Sequence, residues 1–399
     1  MASAKQFLKK NTMLIALIFV AIIFQITTQG VLLLPGNVTN LIAQNGHIVI
    51  LAVGMLICIL TGGNIDLSVG SIVALVGAIA GKLIVVNHNN IYLSMLLCLV
   101  AGLAIGSWHG FWIAYVRIPA FIVTLSGMLI WRGIARIVLD GLTISPFPTD
   151  MTRYFYSFIP DFMGGMAFGD KILNSVALVT GLMICVVFVL LQLFSRASKV
   201  RKGYAAEHIA VTIGKCVVII LAVAALAFTV AQDKGLPAIL VLLAIVVAVY
   251  GYFTVKTVYG RHIYALGGNE KAAKLSGINT NKMLFFAYAN MGFLSALAAL
   301  VCVSRFNSAA PTSGSNYELD AIGACFIGGA SAYGGTGTVG GAVIGAIFMG
   351  VLNNGMSIMG IDSDFQLPIK GLVLLIAVAI GVISKIVSTF LAKNKGRTA

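Results

Sequence analysis

The chain has 399 residues, of which 59% are hydrophobic and only 10% charged, with a mean hydropathy of +1.02 and a formal net charge of +14. A soluble domain carries about 25% charged residues, so a soluble globular fold is excluded, whereas in a bilayer lipid itself is the solvent. The basic residues are spread over many loops, which argues against a nucleic-acid partner.

The first element is the apolar run from Met13 to Phe24, preceded by Lys5, Lys9 and Lys10. It resembles a signal peptide, but no small-residue cleavage site follows before Gln29-Gly30, so it reads as a retained first span. A crossing needs about 20 mostly apolar residues. Stretches 12–30, 41–61, 68–87, 91–116 and 119–139 qualify, then 171–195, 209–231 and 235–257, then 283–304, 319–333, 337–359 and 366–390. That makes twelve; the tenth is short and glycine-rich and also fits a broken or re-entrant helix. The predicted fold is an all-α membrane protein, a polytopic bundle of 10–12 spans forming one transmembrane domain over 1–399.

Placing the N-terminus in the cytoplasm and alternating puts 18 of the 26 Lys and Arg residues on the cytoplasmic side, among them Arg117, Lys199, Arg201, Lys256, Arg261, Lys271, Lys274, Lys282 and Arg397. This positive-inside arrangement makes both termini cytoplasmic. The six cysteines lie singly in apolar runs and the five histidines are scattered without an i, i+4 pair. Neither a metal site nor a disulfide framework is expected.

Two longer polar stretches interrupt the spans. Residues 140–170, with Pro146, Pro148, Asp150, Arg153, Tyr154, Tyr156, Asp161 and Asp170, form an outer loop that is either a docking surface or a connector. The second, Tyr259 to Lys282, falls on the cytoplasmic side. There Asn269 can cap a short helix with Glu270 in its first turn. Ala272, Ala273 and Leu275 favour that helix, and Gly277 can end it in a left-handed conformation.

The string from Gly267 through Gly268, Asn269, Glu270, Ala272, Ala273 and Gly277 to Ile278 resembles the E-A-A-x-x-x-G coupling motif of ABC importer permeases, in its ribose, xylose and galactose branch, with Lys271 interposed. Gly63-Asn-Ile-Asp-Leu-Ser-Val-Gly70, Ile118-Pro-Ala-Phe-Ile-Val-Thr-Leu125 with Arg132-Gly133, Glu318-Leu-Asp-Ala-Ile-Gly-Ala-Cys325 with Ile327-Gly-Gly329, and Gly334 to Ala342 resemble further motifs of that branch, in order along most of the chain. Three spans, rather than one, separate the outer loop from the coupling loop, as in the longer xylose-type and multiple-monosaccharide permeases. The resemblance implies an inner-membrane homodimer lining one pathway for monosaccharide uptake. A cytosolic ATP-binding subunit would dock on each coupling helix, and a periplasmic sugar-binding protein would deliver the cargo. ATP and Mg would then be bound by that subunit, with no cofactor and no catalysis on this chain.

Other residues allow two readings. Gly335 to Gly340 matches G-x-G-x-x-G, but its membrane flanks argue against a dinucleotide site; Gly337, Gly341 and Gly345 recur every four residues and read as one smooth helix face, packed on another span or a second protomer. Asp66, with Asn64 and Ser68, either holds a loop at the pathway or caps a helix at the membrane surface. Thr124 joins the candidate pathway groups, as do Asn353 and Asn354, which are equally interhelical hydrogen bonders. Arg132 and Arg136 are expected to pair with Asp140 or to snorkel outward. All 12 acidic residues can be placed at or outside helix ends, which argues against an ion-coupled secondary sugar transporter, the main alternative.

Overall fold

A computed structural model describes residues 12–169, 171–203 and 209–395. Lys5, Lys9, Lys10, Asp170 and Arg397 lie outside the described residues. The first six helices are α1 (Thr12–Thr27), α2 (Pro35–Leu60), α3 (Val69–Ala80, continued as a π-helix over Gly81–Val86), α4 (Ile91–Ala114), α5 (Ala120–Val138) and the short α6 (Thr149–Tyr156). A hairpin of β1 (Met166–Phe168) and β2 (Lys171–Leu173) precedes α7 (Ser175–Arg201), α8 (Ile209–Ala231) and α9 (Ile239–Lys256). Then come α10 (Val258–Gly268), α11 (Glu270–Leu275), α12 (Thr280–Phe306), α13 (Tyr317–Ile327), α14 (Val339–Ile358) and α15 (Ser363–Lys395).

Among the described residues nine helices are long and apolar enough to cross a membrane. Each expected span coincides with a helix, displaced by a few residues. The exception in length is α13: its 11 residues rise about 16 Å, half of a ~30 Å hydrocarbon core. The expected span 319–333 is therefore a half-helix followed by an irregular loop, as the glycine-rich alternative allowed.

The core is built on α2 and α12, whose most apolar stretches are 83% and 78% buried, flanked by α3 and α14. The same measure is only 12% for α8. Leu182, Phe194, Val218 and Leu221 face outward on α7 and α8; in a bilayer such a surface meets lipid. Close approach of α4 to α12 depends on small residues: a Cβ on Gly106 would strike the Tyr288 carbonyl and Gly292.

The outer loop is tied down rather than free. Ile144 pairs with Ala309 in a short antiparallel bridge, Asn307 accepts from Phe147 N at 2.9 Å, and Asp161 accepts from Ser175 N at 2.7 Å at the start of α7. Asp140 meets Lys82 of α3 at 3.1 Å, not Arg132 or Arg136. The i, i+4 pairing fails because the helix ends at Val138 and Asp140 takes a positive φ of 53°. Arg132 instead donates to the carbonyls of Pro311 and Ser313, at 3.3 and 2.5 Å.

Candidate functional site

At one end of the bundle α10 and α11 form a bracket between α9 and α12. Thr257 caps α10 by accepting from Gly260 N at 3.0 Å, and Asn269 caps α11 by accepting from Ala272 N at 3.0 Å. Glu270 stands in the first turn of α11, at the positive end of its dipole. Gly277 closes it with φ +83°, a conformation that glycine takes without Cβ strain. The cap, helix and stop sit where the sequence places them.

Two contacts hold the bracket on the bundle. Arg117, in the turn between α4 and α5, donates to Glu270 Oε1 at 2.7 Å, to Thr280 Oγ1 at 3.3 Å and to Asn281. On the other side Tyr264 donates to the Gly337 carbonyl at 2.7 Å. Burial raises the Tyr264 phenol above its ordinary value, so it remains a donor at neutral pH. Ala273 is buried against the bundle, while Leu275 at the tip is 90% exposed.

The bracket rests on two helix interruptions. Gly335 N donates to the Leu60 carbonyl at 3.1 Å, joining the loop after α13 to the end of α2. A Cβ on Gly267 would overlap both of those groups, and one on Gly63 would meet the Ala332 carbonyl. Thus the segments 60–63, 264–268 and 332–337 lie backbone against backbone. Gly268 has open space where a Cβ would stand.

Asp66 lies deeper. It is fully buried, and its Oδ1 accepts from Ser68 N at 2.8 Å and Ser68 Oγ at 2.6 Å, while its Oδ2 is buried without a hydrogen-bond partner. Ser68 Oγ is 3.5 Å from His109 Nδ1, and His109 Nε2 accepts from Trp131 Nε1 at 3.0 Å. The indole can only donate, so the proton of a neutral His109 sits on Nδ1, facing Ser68. The bonds therefore run in series toward the Asp66 carboxylate. The carboxylate therefore holds the turn that leads into α3, closing on Ser68, the residue before the helix, rather than on a first-turn amide, and it does so in the interior rather than at the membrane surface. His109 and Tyr288, whose hydroxyl is 3.5 Å from the Ile65 carbonyl, lie about 7–12 Å inside the ends of their helices.

The remaining candidates do not converge. Asn64 donates to Thr61 at 3.0 Å, and buried Thr124 bonds its own helix at Ala120. Asn354 exchanges bonds with Asn37 of α2, at 2.9 and 3.1 Å. Asn353 donates to Asp320 at 3.4 Å. Gly341 and Gly345 do form a packing face, against the carbonyls of Gly328 and Ala324, so their partner is α13 of the same chain. Gly337 is not part of it, because α14 begins at Val339 and Gly337 has φ +149° against Leu56 and Ala330.

Among the described residues the acids do lie at or outside helix ends, but not all of those ends are at the surface. Asp66 and Asp320 are at helix starts, yet both are buried, since α3 and α13 begin inside the bundle. Sequence reasoning missed Arg117, Tyr264 and Lys370 as contact residues. Lys370 gave a signal, being a lone charge in an apolar run, which must find a partner; it meets Asp320 at 3.1 Å.

The profile of a family described as branched-chain amino acid transport system / permease component matches residues 37–170 and 171–378. The chain belongs to this permease family. Among its relatives are sugar permeases: it is 36% identical over 92% of its length to the xylose transport system permease protein XylH of Escherichia coli, covering 90% of that protein. The xylose permease XylH of Haemophilus influenzae is also 36% identical, over 94% of this chain and 96% of its own length. The ribose import permease protein RbsC of Escherichia coli is 34% identical over 86% and 85%. No solved structure matches. The two helices α7 and α8, which lengthen the region between outer loop and coupling bracket, lie within the matched range.

Proposed function

We infer that this chain is the membrane-spanning permease subunit of an ATP-driven importer that carries a monosaccharide across the bacterial inner membrane, in one transmembrane domain over residues 1–399. The sugar class comes from the xylose and ribose permeases to which the chain is similar, despite the amino-acid wording of the family description. The observation that carries the reading of mechanism is the bracket. A two-helix unit, capped at Thr257 and Asn269, presents the exposed Leu275 together with the exposed Lys271 and Lys274 while Arg117 and Tyr264 fix it to the bundle. Such a unit transmits a push from a soluble partner to the segments it touches. The partner is the ATP-binding subunit, which holds ATP and Mg; a periplasmic sugar-binding protein delivers the cargo at the opposite end, and two permease copies line the pathway. The bracket end is cytoplasmic by the distribution of Lys and Arg.

The buried Asp320–Lys370 pair favours one competing reading, because ion-coupled carriers place ionisable groups inside the bundle. Uptake of labelled monosaccharides by vesicles containing this chain, with and without the ATPase, separates the two. The importer reading expects uptake that needs the ATPase and survives a protonophore at constant ATP. Uptake by this chain alone that collapses with the proton gradient would replace it with the carrier.

A further inference from the structure

The end of the bundle opposite the bracket contains a cavity of about 300 Å³ where five helices converge. Its walls include Asn45 of α2, Arg305 at the last turn of α12, Tyr317 and Asp320 at the first turn of α13, Asn353 of α14 and Lys370 of α15. The volume is at the lower end of small-molecule pockets, about 300–1,000 Å³. It suits one small ring and not an oligomer.

The lining offers donors and acceptors together. Lys370 Nζ stands 3.1 Å from one oxygen of Asp320 and 3.3 Å from the other, with Asp320 only 4% exposed. Asn353 turns its amide N–H toward Asp320, leaving its Oδ1 buried and without a partner. Arg305 is held by the Gln44 carbonyl at 3.1 Å. An aromatic wall is also present, the Tyr317 and His47 rings lying 4.5 Å apart. A lipid tail would leave these polar groups unpaired, and two cations repel a metal ion. Both cations already have acceptors, so a ligand charge is not required. A sugar hydroxyl both donates and accepts, and the face of a sugar ring is apolar enough to lie on an aromatic wall.

The cavity is also connected to the bracket. Asp320 stands near the first turn of α13, and the loop after the last turn of α13 holds Gly335 on Leu60 and Gly337 under Tyr264. The carbonyls of Ala324 and Gly328 seat Gly345 and Gly341, so α13 and α14 are packed to move together.

We propose that this cavity is the site at which the permease receives one neutral monosaccharide, Asp320, Lys370 and Asn353 binding its hydroxyls and Tyr317 its ring face. The proposal rests on the importer reading and gives it a location. Ligand entry would exchange part of the Asp320–Lys370 contact for sugar hydroxyls, and α13 would carry the shift to the bracket.

The test uses the complete importer in vesicles, with ATP-dependent uptake of D-xylose, D-ribose and D-galactose as the readout. Replacing a buried ion pair by two apolar side chains is commonly neutral or stabilising, whereas a single change leaves an uncompensated buried charge, so the double variant Asp320→Leu/Lys370→Leu keeps the fold. The expected result is normal insertion and ATPase assembly with uptake lowered at least tenfold. In parallel, Ser363→Cys at the cavity rim is labelled with a thiol reagent in the permease in nanodiscs, and saturating monosaccharide is expected to slow labelling at least threefold. Uptake within twofold of the wild type in the double variant, or labelling indifferent to a sugar that the wild type transports, would overturn the site while leaving the importer reading intact. No uptake of any sugar, with labelling slowed only by a charged sugar acid, would overturn both.

Discussion

The Tyr264 hydroxyl and the Gly337 carbonyl, 2.7 Å apart, join the bracket to the loop where α13 is interrupted. This bond links the bracket to the connection between the half-helix α13 and α14. A hydrogen bond of this kind contributes about 0.5–1.5 kcal/mol net. Tyr264→Phe removes it without changing the ring. The expected outcome is a fall of about two- to tenfold in sugar transported per ATP hydrolysed, with insertion and ATPase assembly preserved. Measuring uptake and phosphate release on the same vesicles checks it; an unchanged ratio would mean that the bond does not transmit force.

Leu275 is the second test of the bracket. An apolar side chain that is 90% exposed at the end of a short helix outside the spans contributes little to this chain's own packing. Burying a leucine against a partner is favourable by about 1.5–3 kcal/mol. Leu275→Asp is therefore expected to weaken co-purification of the ATPase by about ten- to a hundredfold, leaving the thermal midpoint of the isolated permease within about 1 °C. Leu275→Met should behave as wild type. A midpoint that drops with Leu275→Asp would show that the residue packs on the bundle instead.

The neighbours Gly267 and Gly268 separate packing from sequence identity. A Cβ on Gly267 collides with the Leu60 carbonyl and Gly335 N, both backbone groups that cannot turn aside, while one on Gly268 meets open space. Overpacking costs about 1–3 kcal/mol. Gly267→Ala is expected to lower the thermal midpoint by several degrees and to loosen hydrogen-exchange protection over 60–63 and 332–337. Gly268→Ala should change neither. Equal effects would place the contact elsewhere.

What the sequence disclosed follows the range of the interactions. The apolar runs, the Asn269 cap and the Gly277 stop depend on residues a few positions apart, and each appears where local chemistry puts it. The pairings that failed or were missed are tertiary. Lys82, 58 residues from Asp140, outcompetes Arg136 because the chain turns at Asp140. Asp66 reads as a surface cap because sequence marks a helix start but not its depth. Gly337 keeps the four-residue spacing of Gly341 and Gly345 and yet falls outside α14, since periodicity does not reveal where Thr338 begins the helix by accepting from Gly341 N. The cavity combines residues from five helices; of these the sequence offered Asn353 as a pathway group, while the isolated charge of Lys370 was a signal that went unread.

Holding the turn before α3 and meeting the cargo are separable roles for Asp66, and stability distinguishes them. Its Oδ1 takes two bonds from Ser68 in a fully buried site. Asp66→Ala leaves two buried donors without that acceptor, at about 1–3 kcal/mol each. Ser68→Ala removes only the hydroxyl and keeps the backbone bond, so its cost is about half or less. A structural role predicts this order in thermal midpoint, with lost exchange protection confined to Ser68 and the turn that leads into α3. It also predicts that a sample cooled below the shifted midpoint regains most of its transport. If Asp66→Ala instead leaves the midpoint and the protection of α3 unchanged while uptake disappears, the carboxylate acts on the cargo, and its unpaired Oδ2 is the atom that meets it.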